Sequence, residues 1–399
     1  MAPIGPMVRM IGADGPAFGF AEGALLQTGA AGGALVKAAQ IVPIRPARPP
    51  RVNPELLMSA SPNVEFSLRA RIGEVLLKRP DELNALTLSM VEALDAQLAE
   101  WTSDPNVTSV TIRGAGGQAF CAGVDQRALY EALMAGDREY GADFFRRFYR
   151  LLHRLGTYPK PTLAIMHGAT MGGGAALAMQ CKIRVATRET YFAVPDCKLG
   201  FFPDGAMTAA LAQCPGEVGM FLALTGVALR ARGLVHARLA THLVPEERIA
   251  LVTPTLVNQL AVTPAQSPLA DIQPHINQIF GLSSPQEVMS ILGVRSGEWA
   301  KATLEQLRPQ SPTSLAVTFR RLRQAQGKGQ SLEQALATDY RLTQHLINRP
   351  DFREGVRTLV MAGDQKPAWE PADLAGVTPE MIDDLFGPVA PIPEWMPAD

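Results

Sequence analysis

The hydrophobic pattern changes character near residue 64. From there Val64, Phe66 and Leu68 alternate with polar neighbours, and Val75–Leu77 is an apolar run, which together predict a strand hairpin. Thr87 is placed to cap a helix on which Val91, Leu94, Leu98 and Trp101 recur at helical spacing. A β-branched strand is predicted over Val107–Ile112, ending in Gly114-Ala115-Gly116-Gly117. Residues 138–155, aromatic and Arg-rich, read as a helix, and Thr162–Met166 as a buried strand. Gly172–Gly174 then turn into a helix over Ala175–Cys181, followed by a strand over Lys182–Ala186. Strands alternating with helices predict an α/β fold. Beyond about residue 215 the pattern is mostly helical, with Ser331–His345 and Asp351–Met361 the clearest segments.

Residues 1–57 lack such periodicity. They hold eight prolines and eight glycines, which predicts a disordered or extended extension. It is a poor signal peptide. It is also a weak transit peptide, because only Arg9 and Lys37 are basic before Arg45 while Asp14 and Glu22 interrupt. Met58 is a second candidate start. The remainder is divided into a core over 58–255 and a mostly helical region over 256–399.

Composition narrows the functions. With 399 residues and 47% hydrophobic content the chain can bury a large core. A net charge of −1 offers no broad basic face, so nucleic acid is not expected as a partner. The uncharged stretch Pro161–Cys181 is long enough to span a bilayer, but His167 and four glycines fit a strand, a turn and a buried helix better. Cys121, Cys181, Cys197 and Cys214 match no zinc spacing and are expected to be buried free thiols; no metal is implied.

Four segments carry candidate chemistry: Ala119–Asp125, His167–Gly174, Phe192–Asp196 and Leu199–Asp204. Consecutive glycines expose backbone N–H groups, and the first turn of a following helix has unpaired donors and a partial positive end. Such a site suits a developing negative oxygen, although three glycines alone also serve tight strand–helix packing. Val124 could present a second main-chain donor. Asp196 and Asp204 each follow a proline in apolar context, where a carboxyl can act as acid or base or simply cap a turn. The six histidines pair with no candidate nucleophile, and GxGxxG, Walker, GxSxG and HExxH patterns are absent.

In order and spacing these segments resemble the crotonase (enoyl-CoA hydratase/isomerase) superfamily. The similarity runs from Val75–Thr87 through the four segments, Arg184–Thr187 and Phe221–Gly226 to Ser311–Leu315, Asp351–Arg357 and Trp369–Asp373. It covers about residues 64–395. Phe202-Pro203-Asp204, Ser311-Pro312-Thr313-Ser314 and Phe352–Arg357 are the elements that resemble its hydrolase branch.

The resemblance implies a ββα spiral core and hydrolysis of a short branched β-hydroxyacyl-CoA. The first such substrate is 3-hydroxyisobutyryl-CoA, in a step of the kind found in valine breakdown. It places the thioester oxygen between the N–H groups of Val124 and Gly173. It makes Asp196 the nucleophile or base, and has Asp204 orient the substrate hydroxyl or assist proton transfer. Arg79, Ala122 and Asp125 would contact the coenzyme, which is part of the substrate, so no separate cofactor is needed.

Three departures stand out: Asp196 where the branch has Glu, Phe148 where it has an acid, and Ala206-Met207-Thr208 where it has glycines. Hydratases carry a Glu at the position of Ala176, which disfavours hydration. Two other readings stay open: a hydratase or isomerase reaction, and a catalytically weak relative serving as a structural subunit. Self-association into a homo-oligomer is plausible for the family. A reducing, aqueous setting follows, cytoplasmic in a bacterium and mitochondrial matrix in a eukaryote, with no membrane partner.

Overall fold

The computed structural model describes residues 61–327, 329–361, 366–389 and 392–396; the expectations for 1–57 lie outside these. Strands β1 (Val64–Arg69) and β2 (Ile72–Leu77) form the expected antiparallel hairpin. Helix α1 (Leu88–Ser103) follows, with Thr87 accepting from the Met90 N–H at 3.3 Å and Val91, Leu94, Leu98 and Trp101 all buried. The next strand, β3, spans Ser109–Gly114 rather than Val107–Ile112, because its register is set by parallel pairing of Ser109 to Ile72 and Gly114 to Leu77.

From here the chain winds as a spiral. Strands β4 (Ala119–Cys121), β6 (Ala169–Met171) and β8 (Tyr191–Ala193) form a small three-stranded sheet. Strands β5 (Thr162–Met166), β7 (Ile183–Ala186) and β9 (His242–Leu243) extend the large sheet in the order β1-β2-β3-β5-β7-β9. Successive strands alternate between the two sheets, and all pairings after the first hairpin are parallel. Both faces of β5 are covered, which is why its sequence is apolar without alternation.

Helices α2 (Gln126–Met134) and α3 (Arg138–Gly156) connect β4 to β5, and α4 (Gly173–Met179) connects β6 to β7. Helices α5 (Met207–Ala212), α6 (Val218–Thr225) and α7 (Ala231–His236) precede β9. The C-terminal part is helical as expected. It comprises α8 (Val257–Leu260), α9 (Pro268–Phe280), α10 (Pro285–Val294), α11 (Glu298–Leu307), α12 (Pro312–Gly327), α13 (Leu332–Leu346), α14 (Pro350–Val356) and α15 (Pro379–Leu385). The chain is therefore α/β with a spiral core and a helical C-terminal region.

One apolar core runs from Val64 to Met396, so the C-terminal helices share it with the spiral rather than forming a second centre. Pro161–Cys181 resolves into β5, β6 and buried α4. No helix among the described residues is long and apolar enough to cross a membrane. All four cysteines are free and buried.

Candidate active site

The glycine-rich helix start is built by close approach. Gly172 caps α4 at φ +47°, a left-handed conformation that favours glycine. A β-carbon on Gly174 would fall 2.2 Å from the Cys121 carbonyl oxygen, so α4 can lie on β4 only if residue 174 has no side chain. A β-carbon on Gly173 would meet Val124 Cγ1 at 2.9 Å, and Val124 N and Phe148 Cζ each at 3.4 Å. One on Gly123, itself at φ +115°, would lie 3.4 Å from Gly173 N. Segments 123–124 and 172–173 therefore run directly against each other.

The local bonding leaves both donors of interest unspent. Leu86 and Val124 form a parallel bridge through Leu86 N–H to the Gly123 carbonyl and Asp125 N–H to the Leu86 carbonyl. That pattern turns the Val124 N–H to the side away from Leu86. Gly173 opens the helix, so its N–H has no acceptor one turn back. Among the described residues neither N–H donates to another protein group.

Asp196 opens a short 3-10 turn, Asp196–Leu199, directly after Pro195. Its carboxyl is buried, with Oδ1 3.4 Å from the β-carbon position of Gly172. Its Oδ2 has no hydrogen-bond partner among the described residues. Burial without a cation pushes this acid up to about 7. An orphaned buried carboxyl oxygen is expensive, and such cost concentrates where chemistry is done.

Asp204 is equally buried. The Tyr149 hydroxyl on α3 donates to its Oδ2 at 2.6 Å and is 2.8 Å from Thr343 Oγ1 on α13. Burial, then the nearby Asp196, hold Asp204 well above the usual carboxylate range, with Asp339 adding to the effect. Asp339 itself is paired with Arg321 at 2.8 Å, both fully buried, and accepts the Ala206 N–H at 2.7 Å. That last bond secures the turn after Asp204, where Gly205 and Ala206 both have positive φ (+63° and +64°). The reduced glycine content at Ala206 is thus accommodated in a left-handed conformation stabilised by the C-terminal helices.

Those helices also hold Asp196. Gly200 and Gly355 allow backbone contact between the Asp196 turn and α14: a β-carbon on either would fall 2.3 Å from the other segment's main chain. Ser311 donates its N–H to the Cys197 carbonyl, while its hydroxyl bonds Asp351 Oδ2 at 2.5 Å. Ala176 is fully buried, and a β-carbon on Gly205 would lie 3.1 Å from its own. No acid occupies that position.

The remaining expected residues have local partners. Arg79 pairs with Asp125 at 3.0 Å and donates to the Ala85 carbonyl at 2.7 Å, with about a fifth of each charged side chain accessible. Asp125 caps α2 by accepting the Ala128 N–H. The Ala122 N–H is bonded to the Leu83 carbonyl. Val124, Gly173, Asp196 and Asp204 are brought together, while Arg79, Ala122 and Asp125 lie beside them along the Leu86–Val124 bridge. Among the described residues no group of His, Cys, Asp or Glu is arranged to hold a metal. Tyr149, Thr343, Asp339 and Arg321 were missed. Their bonds join residues 18 to 194 positions apart, and no local pattern announces them.

Comparison with known proteins agrees with this architecture. An enoyl-CoA hydratase/isomerase family model matches residues 72–386. The mitochondrial 3-hydroxyisobutyryl-CoA hydrolase of Xenopus laevis is 38% identical over 335 residues, 79% of this chain and 86% of that protein. The human enzyme of that name is 35% identical over 348 residues, 82% of this chain and 89% of that one. Among solved structures, a carnitinyl-CoA dehydratase from Mycobacterium thermoresistibile superposes with a TM-score of 0.79 at 32% identity, covering 83% of this chain and 98% of that one. An enoyl-CoA hydratase from Rhodobacter sphaeroides gives 0.77 at 34%, with 82% and 98% covered. The chain belongs to the enoyl-CoA hydratase/isomerase family, on the branch that holds the 3-hydroxyisobutyryl-CoA hydrolases.

Proposed function

We propose that the protein hydrolyses a short branched β-hydroxyacyl-CoA thioester, 3-hydroxyisobutyryl-CoA to 3-hydroxyisobutyrate and coenzyme A. The observation that carries this reading is the buried carboxyl of Asp196, with Oδ2 unpartnered among the described residues, against the turn where Gly172 and Gly173 meet Val124. The names of the curated relatives supply the substrate.

In this reading the thioester oxygen accepts from the Val124 and Gly173 N–H groups. Each such donor, fixed before the substrate arrives, contributes roughly 3–4 kcal/mol where negative charge develops on that oxygen. Asp196 attacks the carbonyl carbon directly or draws a proton from an attacking water. Direct attack expels the thiolate, leaving an acyl anhydride that water then opens. An acid poised near 7 has a useful carboxylate fraction at neutral pH and remains basic enough to react. Asp204 binds the β-hydroxyl or passes a proton to the departing sulfur. Coenzyme A lies along the 79–125 face, where Arg79 and the backbone of Ala122 and Asp125 meet it. No further cofactor enters the scheme. An aqueous, reducing compartment fits the free thiols.

Hydration is disfavoured by Ala176, which puts a methyl where hydratases have a carboxylate. The test is thiol release from 3-hydroxyisobutyryl-CoA by purified protein, alongside absorbance loss from crotonyl-CoA. Faster thiol release supports hydrolysis; faster hydration overturns it.

A further inference from the structure

Asp204 Oδ2 receives the Tyr149 hydroxyl at 2.6 Å, and the carboxyl also meets its own main-chain N–H. A phenol has one hydrogen. Spending it on Asp204 makes the Tyr149 oxygen the acceptor for Thr343, so the chain of bonds runs from Thr343 through Tyr149 to Asp204. Tyr149 and Thr343 are both fully buried, so water does not compete. The Tyr149 ring is fixed between Phe145, Phe148 and Tyr340, with centroids at 5.9, 6.1 and 6.4 Å.

A buried tyrosine needs a partner, and Thr343 alone would satisfy it. The second bond, to an acid, is what calls for explanation. Asp204 is faced by Asp196 from the 3-10 turn and by Asp339 from α13, and of these three acids only Asp339 has a cation among the described residues, Arg321 of α12. Tyr149 from α3 is therefore the side chain that orients Asp204.

We infer that Tyr149 is the positioning residue for Asp204: by occupying Oδ2 it presents Oδ1 to the substrate's β-hydroxyl, and selection for hydroxylated acyl groups depends on it. This rests on the reading in which Asp204 handles that hydroxyl. Losing the Tyr149 bond also removes a donor that favours the carboxylate form, so Asp204 then titrates at higher pH.

Tyr149→Phe keeps the ring and deletes only the hydroxyl. Turnover of 3-hydroxyisobutyryl-CoA and of isobutyryl-CoA, which lacks the hydroxyl, is compared across pH. The expected result is a loss of roughly 10- to 100-fold in kcat/KM on the hydroxylated substrate. Isobutyryl-CoA should change by less than about threefold, and the limb due to Asp204 should move to higher pH. Thr343→Val, which removes the donor behind Tyr149, should shift the substrate ratio in the same direction by less. It carries the test if the tyrosine variant folds poorly. Asp204→Asn separates the two claims. If it keeps the wild-type substrate ratio, the reading of Asp204 fails. If it loses the ratio while Tyr149→Phe keeps both ratio and pH profile, the inference about Tyr149 is overturned alone. Equal losses on both substrates with an unmoved profile also overturn it, because that is how a purely structural residue behaves.

Discussion

The Oδ1 atom of Asp196 lies 3.4 Å from the point at which a side chain on Gly172 would begin, so the buried acid abuts the turn that opens the glycine-rich helix. Because this carboxyl is held up at about 7, its reactive, ionised form accumulates only as the pH passes neutrality. We predict that kcat/KM for 3-hydroxyisobutyryl-CoA rises through pH 7 and flattens above it, measured as thiol release from pH 5.5 to 9. A rate flat across pH 6–8 would contradict this role.

The same acid costs stability. Between about pH 4 and 7 the folded protein holds a proton on Asp196 that the unfolded chain has released. Stability therefore falls as pH rises through that window and levels off above it, by up to about 4 kcal/mol from this group. Asp196→Asn removes the titration. Its melting temperature is expected to exceed wild type by several degrees at pH 8 and to converge on it near pH 4, read by thermal denaturation at both values.

Gly173→Ala tests the proposed main-chain donors. The new methyl falls 2.9 Å from Val124 Cγ1 and 3.4 Å from Val124 N, which displaces the valine and intrudes beside its N–H. Turnover is expected to drop roughly 10²–10³-fold, the range for losing one such donor. Circular dichroism should report an intact fold. Turnover within a few-fold of wild type would mean the carbonyl oxygen binds elsewhere.

Ser311→Ala probes the clamp between the C-terminal helices and the Asp196 turn. It strands a buried Asp351 oxygen, now bonded at 2.5 Å, at a cost of about 1–3 kcal/mol in urea unfolding. Turnover should fall with it, because the 3-10 turn that carries Asp196 packs on this clamp. Unchanged stability would show that Asp351 finds another donor.

Elements whose signals are local were legible in the sequence. Thr87 capping α1 and the run Thr162–Met166 needed only a cap preference and an apolar stretch, and both stand as expected. The second sheet was not legible. Its strands are three residues each, all buried except Tyr191, too short for alternation to register. That Val124, Gly173, Asp196 and Asp204 would share one site was an expectation carried by the family resemblance. The Thr343–Tyr149–Asp204 chain and the Arg321–Asp339 pair had no such signal, since their bonds join residues 194, 55 and 18 positions apart. A coenzyme-contacting role for Arg79 likewise came only through the resemblance; the structure adds its pairing with Asp125 at 3.0 Å.

The most direct test of the account is thiol release from 3-hydroxyisobutyryl-CoA by Asp196→Asn, with coenzyme A binding measured by calorimetry on the same preparation. The prediction is loss of turnover by at least about 10³-fold with affinity within about threefold of wild type, because the variant keeps shape and loses only the ionisable oxygen. Full activity in that variant would contradict the account, however well the two backbone donors are placed.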